Sequence, residues 1–218
     1  MDAFLAPLSI IFSHSATALL LQIRNRLVQK SIHSGFTFVI KQPLNTTEMK
    51  FLELAEKRYS CKKFSSKPLE EEKLEYILQA GRLAPTAKNL QEQRIYVAAS
   101  PEALARVDEA TPYRYGAPLV LIVAYDKDNV YIYPGGKRRS GIEDASIVAT
   151  HLMLAAADAG VDSCWLNCFD PEKLHAALGL PDNEEILMML DLGYAADGAG
   201  PLPNHFSRKP LNETVTRI

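Results

Sequence analysis

The longest apolar stretches of the chain predict its two most deeply buried elements. Residues 117–125 form a continuous apolar run, which is typical of a strand covered on both faces. Residues 142–160 carry apolar side chains on almost every side of a helix, and the length of this stretch favours one. Because a helix that is apolar all round has no face suited to water, we predict that it is buried and that Gly160 ends it.

A shorter amphipathic helix is predicted ahead of these elements. Pro68 suits its first turn, the acids that follow complement the positive end of the helix dipole, and Pro85 should end it. One inward face is defined by residues at three- and four-residue spacing: Leu74, Ile77, Leu78 and Gly81. Capping residues and apolar runs predict the other elements: strands at 93–99, 163–167 and 186–193, and helices at 101–110 after a Ser100 cap and beyond an Asp170 cap.

Residues 1–48 differ from the rest of the chain. They hold two acids and four Lys or Arg residues, and their apolar run 16–21 is too short to cross a bilayer. No cation precedes that run, which disfavours a secretory signal, although an organellar presequence remains an alternative. We interpret residues 1–48 as an accessory or wrongly assigned extension and residues 49–218 as one domain. Within the extension, the patterns indicate a helix in 15–31 and a strand in 36–40.

Composition limits the classes of function. A chain of 218 residues, 47% of them hydrophobic, is long enough for a globular domain with a substantial core. The net charge of -2 gives no general attraction to nucleic acid or anionic membranes, so we expect neither partner. Three cysteines, Cys61, Cys164 and Cys168, form neither an even-numbered disulfide framework nor a zinc-ligand pattern. We therefore expect no metal and a reducing compartment, taken as the cytoplasm.

Two polar clusters flank the amphipathic helix. The first cluster is Arg58-Tyr59-Ser60-Cys61-Lys62-Lys63-Phe64, and the second cluster is Pro85-Thr86-Ala87-Lys88-Asn89-Leu90-Gln91. A helix of about 17 residues between them is roughly 25 Å long. The clusters can meet at one ligand only if the ligand is long or the fold bends them together, and flavin mononucleotide (FMN) has the required length.

These clusters resemble the signature of the nitroreductase-like family of FMN-dependent oxidoreductases. The family pattern R-x-S-x-(R/K)-x-F is matched by Arg58, Ser60, Lys62 and Phe64. The later pattern A-P-(S/T)-x-x-N-x-Q is matched by Ala84, Pro85, Thr86, Asn89 and Gln91. Each pattern is weak alone, but their order and the helix between them make the pair fairly specific.

Two further stretches extend the resemblance. Residues 160–170 look like the family's strand and turn whose backbone faces the flavin ring, although Cys168 stands where relatives commonly have glycine. Residues 206–211 resemble the family's closing pattern (K/R)-x-R-x-P-L. Arg208 occupies the arginine position, and Phe206 stands in place of the first cation. The resemblance thus spans about 170 residues. Phe206 puts one phosphate contact in question, and Cys168 puts the space beside the flavin in question.

The resemblance implies an α+β fold, a three-layer sandwich with a central mixed or antiparallel sheet between helices. It also implies a homodimer with helix 142–160 at the interface, FMN as cofactor, and NADH or NADPH as electron donor. The implied cofactor-binding residues are Arg58, Tyr59, Ser60, Lys62, Pro85, Thr86, Asn89, Gln91, Leu166, Asn167, Cys168 and Arg208.

Side-chain chemistry assigns roles within this set. Arg58, Arg208 and Ser60 suit a phosphate, because guanidinium groups and a hydroxyl donate hydrogen bonds to its oxygens. Asn89 both donates and accepts, as the edge of a pyrimidine ring requires. Lys62 is the tuning residue, since its charge near that ring favours hydride acceptance. No catalytic residue beyond the flavin is expected.

Each residue also has a simpler interpretation. Arg58 could pair with Glu56 or Asp170, Asn89 could cap a turn, and Lys62 could be a solvated lysine. The loop 126–140 is predicted to be a solvated surface loop, with a role over the substrate pocket as the alternative. His151 is predicted to be an ordinary hydrogen-bonded core residue.

The leading hypothesis is an FMN-dependent oxidoreductase that takes a hydride from NADH or NADPH. Its electrons pass to a small oxidised acceptor, such as a nitroaromatic or a quinone, by a ping-pong mechanism. The alternative is a flavin-binding protein with little turnover that stores or senses FMN, and the departures at Tyr59, Cys168 and Phe206 keep it open. A specialised reaction such as reductive dehalogenation is a third possibility.

Overall fold

The computed structural model describes residues 50–218, so the helix and strand predicted in 15–31 and 36–40 lie outside the described residues. The helices are α1 (Phe51–Lys57), α2 (Glu71–Arg82), α3 (Pro101–Ala110), α4 (Gly141–Asp158), α5 (Pro171–Leu178) and α6 (Leu211–Thr214). The strands are β1 (Gln93–Ala98), β2 (Leu119–Asp126), β3 (Asp162–Leu166) and β4 (Glu184–Gly193). Two short 3-10 turns cover Ala87–Asn89 and Pro203–Phe206.

The strands form one antiparallel sheet in the order β1-β2-β4-β3. Leu121 of β2 stands opposite Leu190 of β4, and Trp165 of β3 stands opposite the same residue from the other side. A register shift between Val123 and Ala124 accommodates one extra residue in β4. A central sheet, either mixed or antiparallel, was predicted, and the structure confirms the antiparallel form.

Helices cover both faces of this sheet. Leu121 and Val123 of β2 pack with residues of α2 and α4, whereas Val120 and Ile122 pack with residues of α3 and α5. Every residue of β2 except Asp126 is buried, because alternate side chains enter two different cores. The prediction of a strand covered on both faces, and of a three-layer sandwich, is confirmed.

Local capping explains where several helices begin. The Ser100 hydroxyl accepts the amide of Ala103 at 3.2 Å, and the Asp170 carboxylate accepts that of Lys173 at 3.0 Å. Both caps were predicted, and both satisfy an amide that the first helical turn leaves free. Gly160, with φ of +68°, follows the last turn of α4 as expected.

The start of α2 differs from the prediction. The helix begins at Glu71, not at Pro68, and Glu70 is extended with φ of -69° and ψ of 135°. Glu70 is held outside the helix by an ion pair with Lys67 at 3.1 Å and by the Tyr194 hydroxyl, a partner far away in sequence. The helix therefore has 12 residues and spans about 18 Å, shorter than the predicted 25 Å.

The predicted burial of α4 on all sides is wrong for the single chain. One face packs on the sheet and α2, but Ile142 is 56% exposed and Ile147 is 37% exposed. His151 is partly buried, and its Nδ1 lies 2.8 Å from the carbonyl oxygen of Ile147, so the predicted hydrogen bond lies nearer the surface. Within residues 50–218, none of the helices combines the length and the apolar character that a membrane span needs.

Close packing of α2 on α4 depends on Gly81. A Cβ atom at this position would lie 2.6 Å from Cδ2 of Leu152 and 3.6 Å from Cγ1 of Val148. Leu152 is fully buried, so it has little room to move away. The absence of a side chain at Gly81 sets the distance between the two helices.

We expect Gly81→Val to lower the free energy of unfolding by about 1–3 kcal/mol, because the added side chain overpacks this contact. Helix propensity alone favours valine over glycine, so a loss of stability isolates the steric effect. The matched control is Glu75→Val on the exposed side of α2, with an expected cost of about a few tenths of a kcal/mol. Urea unfolding followed by circular dichroism measures both, and equal effects would contradict the assigned contact.

Candidate functional site

A cavity of about 300 Å³ lies between the first cluster and the C-terminal 3-10 turn. Residues from both segments line it: Arg58, Tyr59, Ser60, Lys62, Leu202, Asn204, His205 and Arg208. The structure thus brings together five of the predicted site residues, four from the first cluster and Arg208 from the distant C-terminal segment. It adds Leu202, Asn204 and His205, which sequence reasoning missed because they lie outside every recognised motif.

Backbone pairing positions the first cluster. Ser60 forms a parallel bridge with Ser163 of β3, and the Cys61 amide donates to the Ser163 carbonyl at 2.9 Å. Cys61 and Phe64 are buried in a small core, whereas Ser60 and Lys62 line the cavity. The edge of β3 therefore acts as the template for this part of the site.

The C-terminal turn is tied to the same region. The Nε2 atom of His205 lies 3.1 Å from the Glu56 carbonyl oxygen, and its ring meets that of Tyr59 edge-on at 6.5 Å. Arg208 follows this turn and donates to the Ser207 carbonyl at 2.7 Å. Phe206 is 74% exposed and does not line the cavity, so it does not replace the first cation of the family's closing pattern.

The cavity is electrostatically suited to an anion. Burial and, next, the nearby charge of Arg208 lower the pKa of Arg58. Within residues 50–218, no carboxylate forms an ion pair with either arginine, so the pairing of Arg58 with Glu56 or Asp170 is not seen. Two guanidinium groups that share a cavity repel each other, and a bound anion relieves that repulsion.

Lys62 is exposed at the rim of this cavity. Its Nζ lies 5.8 Å from the centroid of the Tyr115 ring, and no carboxylate of residues 50–218 pairs with it. Its charge is thus available to a ligand.

The second cluster lies away from this cavity. Its Ala87 amide donates to Asp144 Oδ1, in the first turn of α4, at 2.9 Å. Ser60 of the first cluster instead pairs with Ser163, beyond the C-terminal end of α4. The two clusters are attached at opposite ends of a helix of 18 residues, about 27 Å long. Pro85, Thr86, Asn89 and Gln91 accordingly do not line the cavity, and one chain does not bend the clusters together.

The second cluster has an unusual backbone. Lys88, Asn89 and Gln91 have φ values of 52°, 56° and 52°, a region that non-glycine residues rarely adopt. The Gln91 amide donates to the Thr86 hydroxyl at 3.0 Å and closes the loop. The Asn89 side chain is exposed and has no hydrogen-bond partner in the described part of the chain, so it can serve a ligand.

The third predicted stretch follows β3. The Leu166 side chain is buried, so only its backbone can face a ligand. Asn167 Oδ1 accepts the indole N–H of Trp165 at 2.9 Å, and the Cys168 carbonyl accepts the Thr111 hydroxyl at 2.7 Å. Asn167 and Cys168 are exposed, and neither lines the cavity.

The loop after β2 is mostly exposed, as predicted, yet it contacts the second cluster. The Asn129 side chain donates to the Leu90 carbonyl at 3.0 Å, and Lys88 Nζ lies 4.8 Å from the Tyr131 ring centroid. Arg138 pairs with Glu143 of α4. The loop is therefore fixed to α4 and to the second cluster at several points.

Asp191 is a buried acid close to the first cluster that the sequence analysis did not single out. It is fully buried, neither carboxyl oxygen has a hydrogen-bond partner among residues 50–218, and burial raises its pKa to about 8. Cys164 stands opposite it on β3, and burial raises the pKa of this thiol to about 11. Both groups are thus uncharged near neutral pH, and Cys164 packs without acting as a nucleophile.

The sequence of this chain matches a known protein family. The model of the Nitroreductase family matches residues 55–113 and 110–194, which include the first cluster, the second cluster and β3. The chain belongs to the nitroreductase family. The match confirms the family inferred from the sequence, and it excludes the C-terminal turn and Arg208.

Individual family members agree with this assignment. An NADH dehydrogenase of Thermus thermophilus is 31% identical over 191 residues, covering 73% of this chain and 91% of that protein. The structure of a nitroreductase family protein from Clostridium difficile 630 is 38% identical with a TM-score of 0.72, covering 77% and 98% of the two chains. That of an FMN-dependent nitroreductase from Clostridium difficile R20291 is 25% identical with a TM-score of 0.60, covering 72% and 98%.

Proposed function

We propose that this protein is an FMN-dependent oxidoreductase that takes a hydride from NADH or NADPH and reduces a small oxidised molecule, such as a nitroaromatic or a quinone, by a ping-pong mechanism. The observation that carries the proposal is the pair of arginines, Arg58 and Arg208, in one cavity without a carboxylate. Membership of the nitroreductase family supports it, as do the names of the NADH dehydrogenase and the FMN-dependent nitroreductase among the related proteins.

The residues of the cavity fit a flavin mononucleotide phosphate. Arg58 and Arg208 supply charged donors, and Ser60 adds a hydroxyl beside them. When bound, FMN supplies the hydride and electron transfer chemistry that protein side chains lack. These three residues bind and orient it.

Lys62 and Asn89 act on the ring of the cofactor. Lys62 places an unpaired positive charge at the rim of the cavity, where it stabilises negative charge at the pyrimidine end of the ring. Asn89 offers a donor and an acceptor to the edge of that ring. No side chain is required as an obligatory proton donor.

A homodimer completes the site in this proposal. The cavity of about 300 Å³ is at the lower limit for small-molecule sites, roughly 300–1,000 Å³, and it lacks the second cluster. A second copy can supply that cluster, since one chain attaches the two clusters at opposite ends of α4. The exposed Ile142 and Ile147 on α4 offer an apolar surface for the contact.

The proposal includes a reducing, cytoplasmic location and a small-molecule substrate. All three cysteines are free thiols, which is the usual state in such a compartment. Neither nucleic acid nor a membrane is a partner in this proposal.

The direct test is the absorption spectrum of the purified protein, followed by mass spectrometry of the released cofactor. We expect flavin bands and FMN, since the two arginines fit a terminal phosphate. Stopped-flow mixing with NADH or NADPH should then bleach the flavin bands rapidly. Absence of flavin, or the presence of FAD, would contradict the site, whereas bound FMN that is not reduced would favour a storage or sensing protein.

We expect Lys62→Met to retain FMN, to lower its reduction potential and to slow its reduction by NADH or NADPH at least tenfold. A unit charge at about 4 Å contributes on the order of 1–4 kcal/mol, and about 1.4 kcal/mol corresponds to one decade in rate. Arg58→Met should instead weaken FMN retention, because it removes a phosphate donor. The measurements are the flavin content, the potential and stopped-flow reduction.

The matched control for Lys62→Met is Lys63→Met. Lys63 is also exposed, but its Nζ donates to the Asp197 carbonyl at 3.0 Å and it does not line the cavity. Normal potential and rate are expected for the control. If both variants behave like the wild type, Lys62 is a solvated lysine and its assignment is wrong.

Mixing two inactive variants tests whether the site is shared between subunits. Arg58→Met and Asn89→Ala each spoil one cluster, so each homodimer should be inactive. A heterodimer of the two has one site with both clusters intact. Random pairing makes half of the dimers mixed, so co-expression should restore about a quarter of the wild-type activity.

The control for complementation is a chain that carries both substitutions, which should restore nothing when it is mixed with either single variant. Light scattering establishes that each variant is dimeric. If the mixed single variants stay inactive although heterodimers form, both clusters act within one chain and the shared site is wrong.

A further inference from the structure

Two buried carboxyl groups lie side by side next to the second cluster. Glu92 directly follows this cluster and is fully buried, and Asp144 of α4 is 4% exposed. Their side chains interact directly, and the Ser140 hydroxyl lies 3.4 Å from Glu92 Oε1. One oxygen of each carboxyl, Glu92 Oε2 and Asp144 Oδ2, has no hydrogen-bond partner among residues 50–218.

The charges around the pair include no compensating cation. No Lys, Arg or His of residues 50–218 forms an ion pair with Glu92 or Asp144. Arg94 of β1 donates to the backbone carbonyl of Glu92, not to its carboxyl, and the amide of Asp126 at the end of β2 donates to the same carbonyl. Of the groups on α4 and its preceding residue, Asp144 and Ser140 interact with the Glu92 carboxyl.

A single proton removes the repulsion between the two carboxylates. Two adjacent buried carboxylates repel each other, but a protonated carboxyl donates a hydrogen bond to its charged neighbour. Asp144 lies in the first turn of α4 and already accepts the Ala87 amide through Oδ1. Burial and, next, Asp144 raise the pKa of Glu92 to about 7, so Glu92 is the group that holds the proton.

The pair is also the anchor of the second cluster. Asp144 uses its other oxygen to accept the Ala87 amide, near the start of the cluster, and Glu92 joins its end. Between these points Lys88, Asn89 and Gln91 adopt strained left-handed conformations. Such a loop keeps its shape only while its two ends are held in place.

We propose that Glu92 and Asp144 share one proton, and that this pair is the positioning element that holds Asn89 and the second cluster ready to bind the cofactor. The proposal rests on the proposed function, because it assigns the second cluster to the cofactor site. It goes beyond that function by making FMN affinity depend on pH through residues that do not contact FMN.

The direction of the pH effect follows from the raised pKa of Glu92. The ordered loop binds the proton more tightly than an opened loop, in which Glu92 has an ordinary carboxyl pKa. The stabilisation is complete at acidic pH and is lost as the pH rises through about 7. Where the opened loop predominates in the free protein, FMN affinity should therefore fall by about tenfold as the pH rises from 6 to 8. It should level off above that range, because Glu92 is then ionised in both forms of the loop.

The test is fluorescence titration of the apoprotein with FMN from pH 5.5 to pH 8.5. The wild type should show the tenfold loss, and Glu92→Gln should not, since its amide donates to Asp144 at every pH. Asp144→Asn is the second variant, used if Glu92→Gln does not fold, and it should also be insensitive to pH. Glu75→Gln, the same change on the exposed side of α2, should behave like the wild type.

A second measurement does not need the cofactor. Hydrogen exchange of the Ala87 amide should show a protection factor that falls about tenfold between pH 6 and pH 8 in the wild type and then levels off, and that stays constant in Glu92→Gln. If FMN fails to bind at any pH but this pattern is seen, the proton-sharing pair is supported and the proposed function is wrong. If FMN binds to the wild type with an affinity that does not change with pH, or if both proteins change alike, the proposal is overturned.

Discussion

The contact between α2 and α4 on one face of the sheet underlies the separation of the two clusters. The two helices meet closely because Gly81 faces Leu152 without a side chain. Along the chain, α2 leads from the first cluster to the second cluster, and the hydroxyl of Tyr76, in the middle of α2, donates to Asp158 at the end of α4. A site that needs both clusters is therefore divided by a rigid pair of helices, and this division makes a second subunit necessary in the proposed function.

Much of the fold follows from local features of the sequence. The Ser100 and Asp170 caps each satisfy an amide within three residues, so the sequence alone predicts where α3 and α5 begin. The apolar run in β2 is buried on both faces because a strand with no polar side has no exposed face. These predictions depend on neighbours along the chain, and such neighbours are present in the sequence itself.

The failures have a common physical cause, which is that the deciding partner is distant in sequence. Glu70 is kept out of α2 by Tyr194, and α4 is exposed on one side because nothing in the single chain covers Ile142. Apolar patterning reports which residues avoid water, but it does not report what covers them. In the same way Leu202 and His205 enter the cavity through the path of the C-terminal turn, which has no sequence signature.

Buried charge divides this molecule into two electrostatic regions. At the first cluster, the arginines remain charged and unpaired by carboxylates of the described residues, while the neighbouring Asp191 takes up a proton. The loss of that negative charge leaves the cavity more positive, which favours an anion over the alternative of an internal ion pair. Next to the second cluster lie the two buried acids Glu92 and Asp144, and in our proposal a proton takes the place of a cation between them. The paired arginines of the first region attract a phosphate, so this charge favours binding of a ligand with its anionic end in the cavity.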